Sequence, residues 1–143
     1  MKRTIFIIIF IAIVAGISVF FSGFFDNKID LTPSDKSNII VVTFPIKNSE
    51  ISSPLSVAGR ARGSWFFEGS FPIVLVDSYG NTITEGHATA QGEWTTEEFV
   101  KFVGNLQFNN YIKGSKGKII LKKDNPSGLP EYNDSVEIPI IFK

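Results

Sequence analysis

Few side chains in this sequence are of the types that catalyse reactions. There is no cysteine, and His87 is the only histidine. A His-Asp pair with a spare metal ligand and a His-Glu-x-x-His zinc site therefore cannot be assembled. Serine is plentiful, but no Gly-x-Ser-x-Gly elbow occurs, and Ser127 lacks a recognisable base. We expect a protein that is not an enzyme and that has no catalytic residue, cofactor or metal.

Acidic residues provide two further places where chemistry could occur. Glu97 and Glu98 are adjacent, but neighbours on a strand point to opposite faces. Their carboxylates therefore cannot act together on one glycosidic bond, as those of a glycosidase do. Residues 77–82 contain only two of the oxygen-bearing side chains that a calcium-binding loop spaces regularly. A hairpin turn is the favoured interpretation of this segment.

Aromatic and stiff segments are better candidates for a contact surface. Residues 63–69 place three large aromatic side chains between two glycines, where they need core space or a partner to cover them. Residues 124–130 form a loop bracketed by prolines, and a stiff loop suits a preorganised contact. The candidate partner-binding residues are Trp65, Phe66, Phe67, Asn125, Pro126 and Leu129. The alternative is that the aromatic side chains simply cover each other.

Charged residues suggest structural roles and exclude one class of partner. Arg60 and Arg62 precede Glu68, and an arginine facing this carboxylate would clamp the aromatic loop through a two-pronged hydrogen bond, with a ligand site as the alternative. Without Lys2 and Arg3, 12 of the 14 basic residues remain against 14 acidic ones, a formal charge of −2. Such a surface disfavours nucleic acid. The lysines of residues 113–123 are expected to be solvated rather than to bind a polyanion.

The apolar N-terminal block predicts a membrane anchor. Residues 5–25 follow two basic residues and would span roughly 32 Å as a helix, enough to cross a bilayer. A cleaved signal peptide is the alternative, but bulky aromatics stand where cleavage requires small residues. The charge pattern predicts a single-pass cell-membrane protein with its C-terminal domain outside the cytoplasm. We therefore divide the chain into a signal-anchor transmembrane segment (1–25), a polar tether (26–38) and a folded domain (39–143).

The folded domain has the pattern of an all-β protein. Short runs of β-branched and alternating residues are separated by glycine, proline and asparagine, and no amphipathic helix is apparent. The predicted strands are residues 39–44, 55–62, 71–76, 82–90, 98–103, 118–123 and 136–142. This pattern predicts an immunoglobulin-like β-sandwich of about seven strands, held by apolar burial without a disulfide.

Several short blocks, in order along the chain, resemble one known family. They are residues 51–62, residues 65–68 followed by residues 71–73, the Asp77-x-x-Gly80 turn, Gly92-x-Trp94 before Phe99-Val100-x-Phe102, and residues 123–130. Together they resemble the immunoglobulin-like domain of bacterial spore germination over roughly residues 39–142. The resemblance implies an extracytoplasmic sandwich found in germination and envelope proteins, and it supplies no catalytic residues.

Three functions are compatible with these features. The first is a non-catalytic module for binding or assembly at the cell envelope, with a link to sporulation or germination and an envelope protein or cell-wall component as partner. The second is an envelope enzyme acting on peptidoglycan or glycan, which requires two carboxylates converging in one cleft. The third is a structural spacer, which requires a surface without an apolar patch.

The anchor assignment predicts a measurable mass. Protein purified from membranes should retain residues 1–25 in intact mass spectrometry, because the segment lacks a cleavage site. Recovery of a soluble mature form that begins near Asp26 would contradict the assignment.

Overall fold

The computed structural model describes residues 35–143, which form one compact unit. This part of the chain contains eight β-strands and two short 3-10 helices. The strands are β1 (Ile40–Phe44), β2 (Glu50–Ile51), β3 (Leu55–Arg62), β4 (Ser70–Asp77), β5 (Thr82–Ala90), β6 (Phe99–Leu106), β7 (Lys116–Lys122) and β8 (Ser135–Phe142), and the 3-10 helices are Gly63–Trp65 and Pro130–Tyr132. The predicted anchor and most of the tether lie outside the described residues. Between residues 35 and 143, no helix is long and apolar enough to span a membrane.

The all-β prediction is confirmed, and each of the seven predicted strands has a counterpart in the structure. The eighth strand is β2, which pairs in parallel with the end of β8. Two residues are too few to show an alternating pattern, so the sequence does not indicate this strand.

Alternating side chains account for the pairing of β3 with β6. In β6, Val100 and Phe102 are buried while Lys101 between them is exposed. β3 has the same alternation at its start and runs antiparallel to β6 along its whole length. One face of each strand therefore contributes to the core and the other meets solvent.

All eight strands belong to one hydrogen-bonded sheet, in the order β1-β3-β6-β5-β4-β7-β8-β2. The sheet curls at β5, which pairs with β4 over most of its length but with β6 only from Ala88 to Ala90. The resulting half-barrel brings core side chains of β4 and β6 into contact although β5 separates these strands in the sheet. The two layers of the predicted sandwich are thus joined through β5 rather than being separate sheets.

Small residues make the tight curl sterically feasible. Ala88 of β5 lies opposite both Phe71 of β4 and Gly104 of β6. A Cβ atom on Gly104 would lie 2.7 Å from Cδ1 of Ile73 and 2.9 Å from the carbonyl oxygen of His87, so a larger residue would require the backbone of β5 to shift. Because Ala88 and Gly104 occupy little space, the rings of Phe71 and Phe102 meet in an edge-to-face contact with centroids 5.0 Å apart.

The antiparallel registers place the connections at two ends of the sheet. One end contains the start of β1 and the connections 63–69, 91–98 and 123–134. We call it the entry end, because the described chain begins there. The opposite end, called the far end, contains the connections 78–81 and 107–115. The two segments that the sequence singled out for binding therefore lie at the same end.

Candidate contact surface at the entry end

A tight turn determines how the aromatic loop is arranged. Phe67 and Ser70 exchange two backbone hydrogen bonds, N–H to O=C, of 3.0 and 3.1 Å. The residues between them, Glu68 and Gly69, have φ angles of 48° and 74°. Positive φ at both central positions is the signature of a type I′ turn, whose twist matches that of paired strands. The loop thus reverses sharply at its tip.

Gly63 allows another connection to pack closely against the base of this loop. A Cβ atom at Gly63 would lie 1.9 Å from the carbonyl oxygen of Thr96 and 2.3 Å from that of Trp94. Backbone atoms cannot move aside as a flexible side chain can, so this approach requires glycine. The 91–98 connection therefore lies directly against the start of the aromatic loop.

The structure assigns the three aromatic side chains of this loop to different environments. Trp65 is 0% exposed and Phe66 is 5% exposed, whereas Phe67 is 41% exposed. The rings of Trp65 and Phe66 pack on Phe71, with centroid separations of 6.4 and 5.3 Å. Neither Trp65 nor Phe66, both predicted to contact a partner, presents its side chain to solvent in this structure. Of the three, only Phe67 has the exposure that a contact role needs.

The second candidate segment is organised by the side chain of Asn125. Its Nδ2 donates hydrogen bonds to the carbonyl oxygen of Leu129 at 2.8 Å and to Oδ1 of Asn133 at 2.9 Å. Its Oδ1 accepts from the hydroxyl of Ser127 at 2.6 Å. A single amide thus connects the beginning, middle and end of the loop. Asn125, predicted to bind a partner, is occupied in holding the loop together.

The same loop presents its apolar side chains outward. Leu129 is 48% exposed and Tyr132, in the 3-10 helix, is 54% exposed. Pro126 is exposed as well. Tyr132 was not predicted from the sequence, since a tyrosine among polar residues has no periodic signal there. We define the entry-end surface as Phe67, Leu129 and Tyr132.

A backbone hydrogen bond connects the two loops to each other, and a lysine side chain connects the second loop to the beginning of the described chain. The N–H of Asp124 donates to the carbonyl oxygen of Trp65 at 3.1 Å. The ammonium group of Lys36 is paired with the carboxylate of Asp134 and donates to the carbonyl oxygen of Ser135 at 2.9 Å. Beside these contacts lies an open polar groove of about 570 Å³, lined by Pro72, residues 122–125 and residues 133–135.

The predicted arginine clamp has a different partner. Arg62 donates from Nε to the carbonyl oxygen of Asn38 and from Nη1 to that of Glu97, both at 3.1 Å. Its Nη1 lies 3.7 Å from Oε2 of Glu98. Glu68 forms no ion pair within residues 35–143. Arg62 therefore holds the 91–98 connection to the start of the domain, and the clamp on the aromatic loop through Glu68 is not formed.

Both Arg60 and Arg62 place their guanidinium groups over the ring of Phe99. The guanidinium carbon of Arg62 lies 4.2 Å from the centre of the Phe99 ring, and that of Arg60 lies 4.9 Å from it. Strand alternation puts all three side chains on the outer face of the sheet, whereas Glu68 is at the tip of a turn. The ring and its two cations form a structural cluster on that face.

Residues singled out for chemistry are separated in the fold. His87 is exposed on β5, opposite Pro72. Asp77 accepts hydrogen bonds from the N–H groups of Tyr79 and Asn81 and from the side-chain amide of Asn81, at 2.8 to 2.9 Å. These bonds close the hairpin that was favoured over a calcium loop. Within the described range, no three His, Asp or Glu side chains are placed to hold a metal ion.

A comparison with protein families now identifies this architecture. Residues 39–128, more than half of the chain, match the family described as the immunoglobulin-like domain of bacterial spore germination. The chain belongs to this family. No match was found among curated proteins or among solved structures. The family assignment confirms the resemblance seen in the sequence.

The match covers the aromatic loop and most of the core of this immunoglobulin-like domain, but not the core residues Ile140 and Phe142 of β8. It begins immediately before β1, includes β1 to β7 and ends at Gly128, within the loop that Asn125 organises. Leu129 and Tyr132 follow the matched range. Two of the three side chains of the entry-end surface thus lie outside the matched range.

Replacing Trp65 by alanine tests its assignment to the core of the immunoglobulin-like domain. Loss of a fully buried indole should lower the free energy of unfolding by about 3–5 kcal/mol. Phe67→Ala removes a neighbouring but exposed ring and should change it by less than about 1 kcal/mol. Denaturant unfolding followed by far-ultraviolet circular dichroism measures both. Near-normal stability of the Trp65 variant would contradict its role as a core residue.

The Asp77 turn should make stability depend on pH. The side-chain hydrogen bond from Asn81 holds the pKa of Asp77 below its ordinary value of 3.8. A carboxyl group whose pKa is lowered by folding stabilises the protein above its unfolded pKa, and this stabilisation is lost as pH falls through the folded value. Asp77→Asn should therefore be less stable than the parent at pH 7, and the difference should shrink in acid. If the difference in free energy of unfolding between the parent and Asp77→Asn stayed constant from pH 7 into acid, the Asp77 carboxylate would not be its source.

The loss of stability at low pH should be smaller in Asp77→Asn than in the parent, but it should not disappear. Side-chain hydrogen bonds from Ser37 and Thr95 also lower the pKa values of Asp35 and Glu93. Each contributes with the same sign as Asp77. Glu131→Gln, at an exposed position, is a matched control for the loss of one charge.

Proposed function

We propose that this protein is a non-catalytic binding module anchored in the cell membrane, with its immunoglobulin-like domain outside the cytoplasm. In this proposal the entry-end surface recruits an envelope protein. The observation that carries it is the exposure of Phe67, Leu129 and Tyr132, at 41, 48 and 54%, on loops that are otherwise tightly bonded. Aromatic side chains such as Phe67 and Tyr132 are enriched at protein interfaces.

Preorganisation supports a binding role for this surface. The type I′ turn holds Phe67, and the hydrogen bonds of Asn125 hold the loop that carries Leu129. A partner would therefore order little additional backbone when it binds, which reduces the entropic cost of association. A spacer without a partner has no need for exposed apolar side chains on fixed loops.

The location outside the membrane rests on the sequence and the family. Residues 5–25 have the length and apolarity of a single span, and Lys2 and Arg3 precede them. Membership in a family described by spore germination supports a link to that process. The partner would then be a component of the envelope in which this domain is displayed.

One observation favours an enzyme acting on glycan as a second candidate. Asp124 and Asp134 both line the polar groove, as two catalytic carboxylates would. However, Asp134 is paired with Lys36 and accepts a hydrogen bond from the N–H of Ser135. We interpret the ion pair between Lys36 and Asp134 as structural. Hydrolysis of peptidoglycan that is lost in both Asp124→Asn and Asp134→Asn would favour the enzyme instead.

A matched pair of tyrosines tests the binding surface. Tyr132 is at the entry end and Tyr79 is at the far end, where it is 88% exposed. A photo-crosslinking amino acid introduced in cells at position 132 should form a specific adduct, and the same group at position 79 should not. Tyr132→Ala should weaken binding of the crosslinked partner by at least about tenfold if this residue is a hot spot of the interface. Tyr79→Ala should leave binding of the same partner unchanged. Equal crosslinking at both positions, or at neither, would contradict the assignment.

A further inference from the structure

The two edges of the curled sheet are protected to different degrees. At one edge, β8 is covered by β2 at Ile141 and Phe142, and the N–H of Asn48 donates to the carbonyl oxygen of Pro139. This edge also carries Glu137 and Pro139, both of which discourage strand addition. The opposite edge is β1, which has β3 on one side and no strand on the other within the described chain.

Hydrogen bonds around β1 show which of its backbone groups face the open side. The N–H of Arg62 donates to the carbonyl oxygen of Ile39, so Ile39 faces β3. The carbonyl oxygen of Val41 lies 2.2 Å from where a Cβ atom of Gly59 would be, so Val41 faces β3 as well. Alternation in an antiparallel pair then directs the N–H and C=O of Val42 away from β3. Val42 therefore presents one donor and one acceptor at the edge.

The composition of β1 does not protect this edge. Its five residues, Ile40–Phe44, include no charged side chain and no proline. Phe44, at the end of the strand, is 49% exposed, and Ile46 beyond it is 70% exposed. The described edge carries two protective features, a register shift at Thr43 and a hydrogen bond of 2.9 Å from the N–H of Ile40 to the carbonyl oxygen of Lys36. An uncharged, β-branched strand with free backbone groups is a template for another strand.

We propose that β1 pairs with β1 of a second copy of this chain. Two identical antiparallel strands related by a two-fold axis at Val42 would exchange two N–H to O=C hydrogen bonds between their Val42 residues. Because β1 carries no charge, this arrangement brings no like charges together, whereas pairing through β8 would bring Glu137 from each copy to the interface. This inference is independent of the function proposed for the entry-end surface.

The test uses the full-length chain in detergent and its dissociation constant from sedimentation over a concentration series. Val42→Pro removes the outward N–H without removing a hydrogen bond to β3, and Val42→Thr keeps that N–H as the matched control. We expect the parent and Val42→Thr to dimerise, and the dissociation constant of Val42→Pro to rise at least about tenfold. Circular dichroism of each variant checks that the fold is retained.

A second variant and a second measurement keep the test decisive if proline disturbs the fold. Thr43→Lys adds a charge near the two-fold axis and should also weaken the dimer. In the parent, amide hydrogen exchange at Val42 should slow as protein concentration rises. A parent that stays monomeric, or a dimer that persists unchanged in Val42→Pro and Thr43→Lys, would overturn the proposal. The latter result would place the contact elsewhere in the chain.

Discussion

The packing of Phe71 at the inside of the curl is the contact on which the rest of the domain depends. Phe71 meets Phe102 across the core and also receives the rings of Trp65 and Phe66. It therefore joins β4, β6 and the aromatic loop in one apolar cluster. With no cysteine in the chain, covalent crosslinks cannot replace this contribution. Close packing of large side chains over small ones performs the role that a disulfide has in antibody domains.

This packing also determines which surface remains available at the entry end. Once Trp65 and Phe66 are drawn inward, the reversal at Glu68 and Gly69 turns Phe67 outward. The hydrogen bond from Asp124 to Trp65 then places the second loop beside the first. Core formation and surface presentation are thus two consequences of the same backbone path. Disturbing the core would be expected to displace the surface as well.

Outside the core, the charged side chains and the two edges of the sheet also have different structural roles. Arg62 joins the start of the domain to the 91–98 connection through two carbonyl oxygens, while its guanidinium group lies over Phe99. The exposed carboxylate of Glu98 adds little to this arrangement, since surface ion pairs are worth about 0–1 kcal/mol. At the β8 edge, proline and charge oppose strand addition, and at the β1 edge they do not. The two edges of this continuous sheet therefore differ in how strongly they oppose the addition of another strand.

The sequence by itself determined the strands, because a period of two is a local property. Alternation along residues 55–62 and the apolar run at residues 71–76 indicated β3 and β4 without knowledge of their neighbours. The Asp77 hairpin and the absence of the chemistry that needs cysteine or several histidines were equally local conclusions. The family resemblance also rested on short blocks that could be read directly.

Only the tertiary structure decided which side chains of those segments are buried and what they contact. Trp65 and Phe67 are two residues apart, and their different exposure follows from the type I′ turn and from backbone atoms of residues 94 and 96 that approach Gly63. Arg62 contacts Glu98 rather than Glu68 because β3 and β6 are paired in one register. Strand β2 forms because β8 is beside it. Each of these outcomes depends on residues distant in sequence, and composition or spacing along one segment contains no information about such contacts.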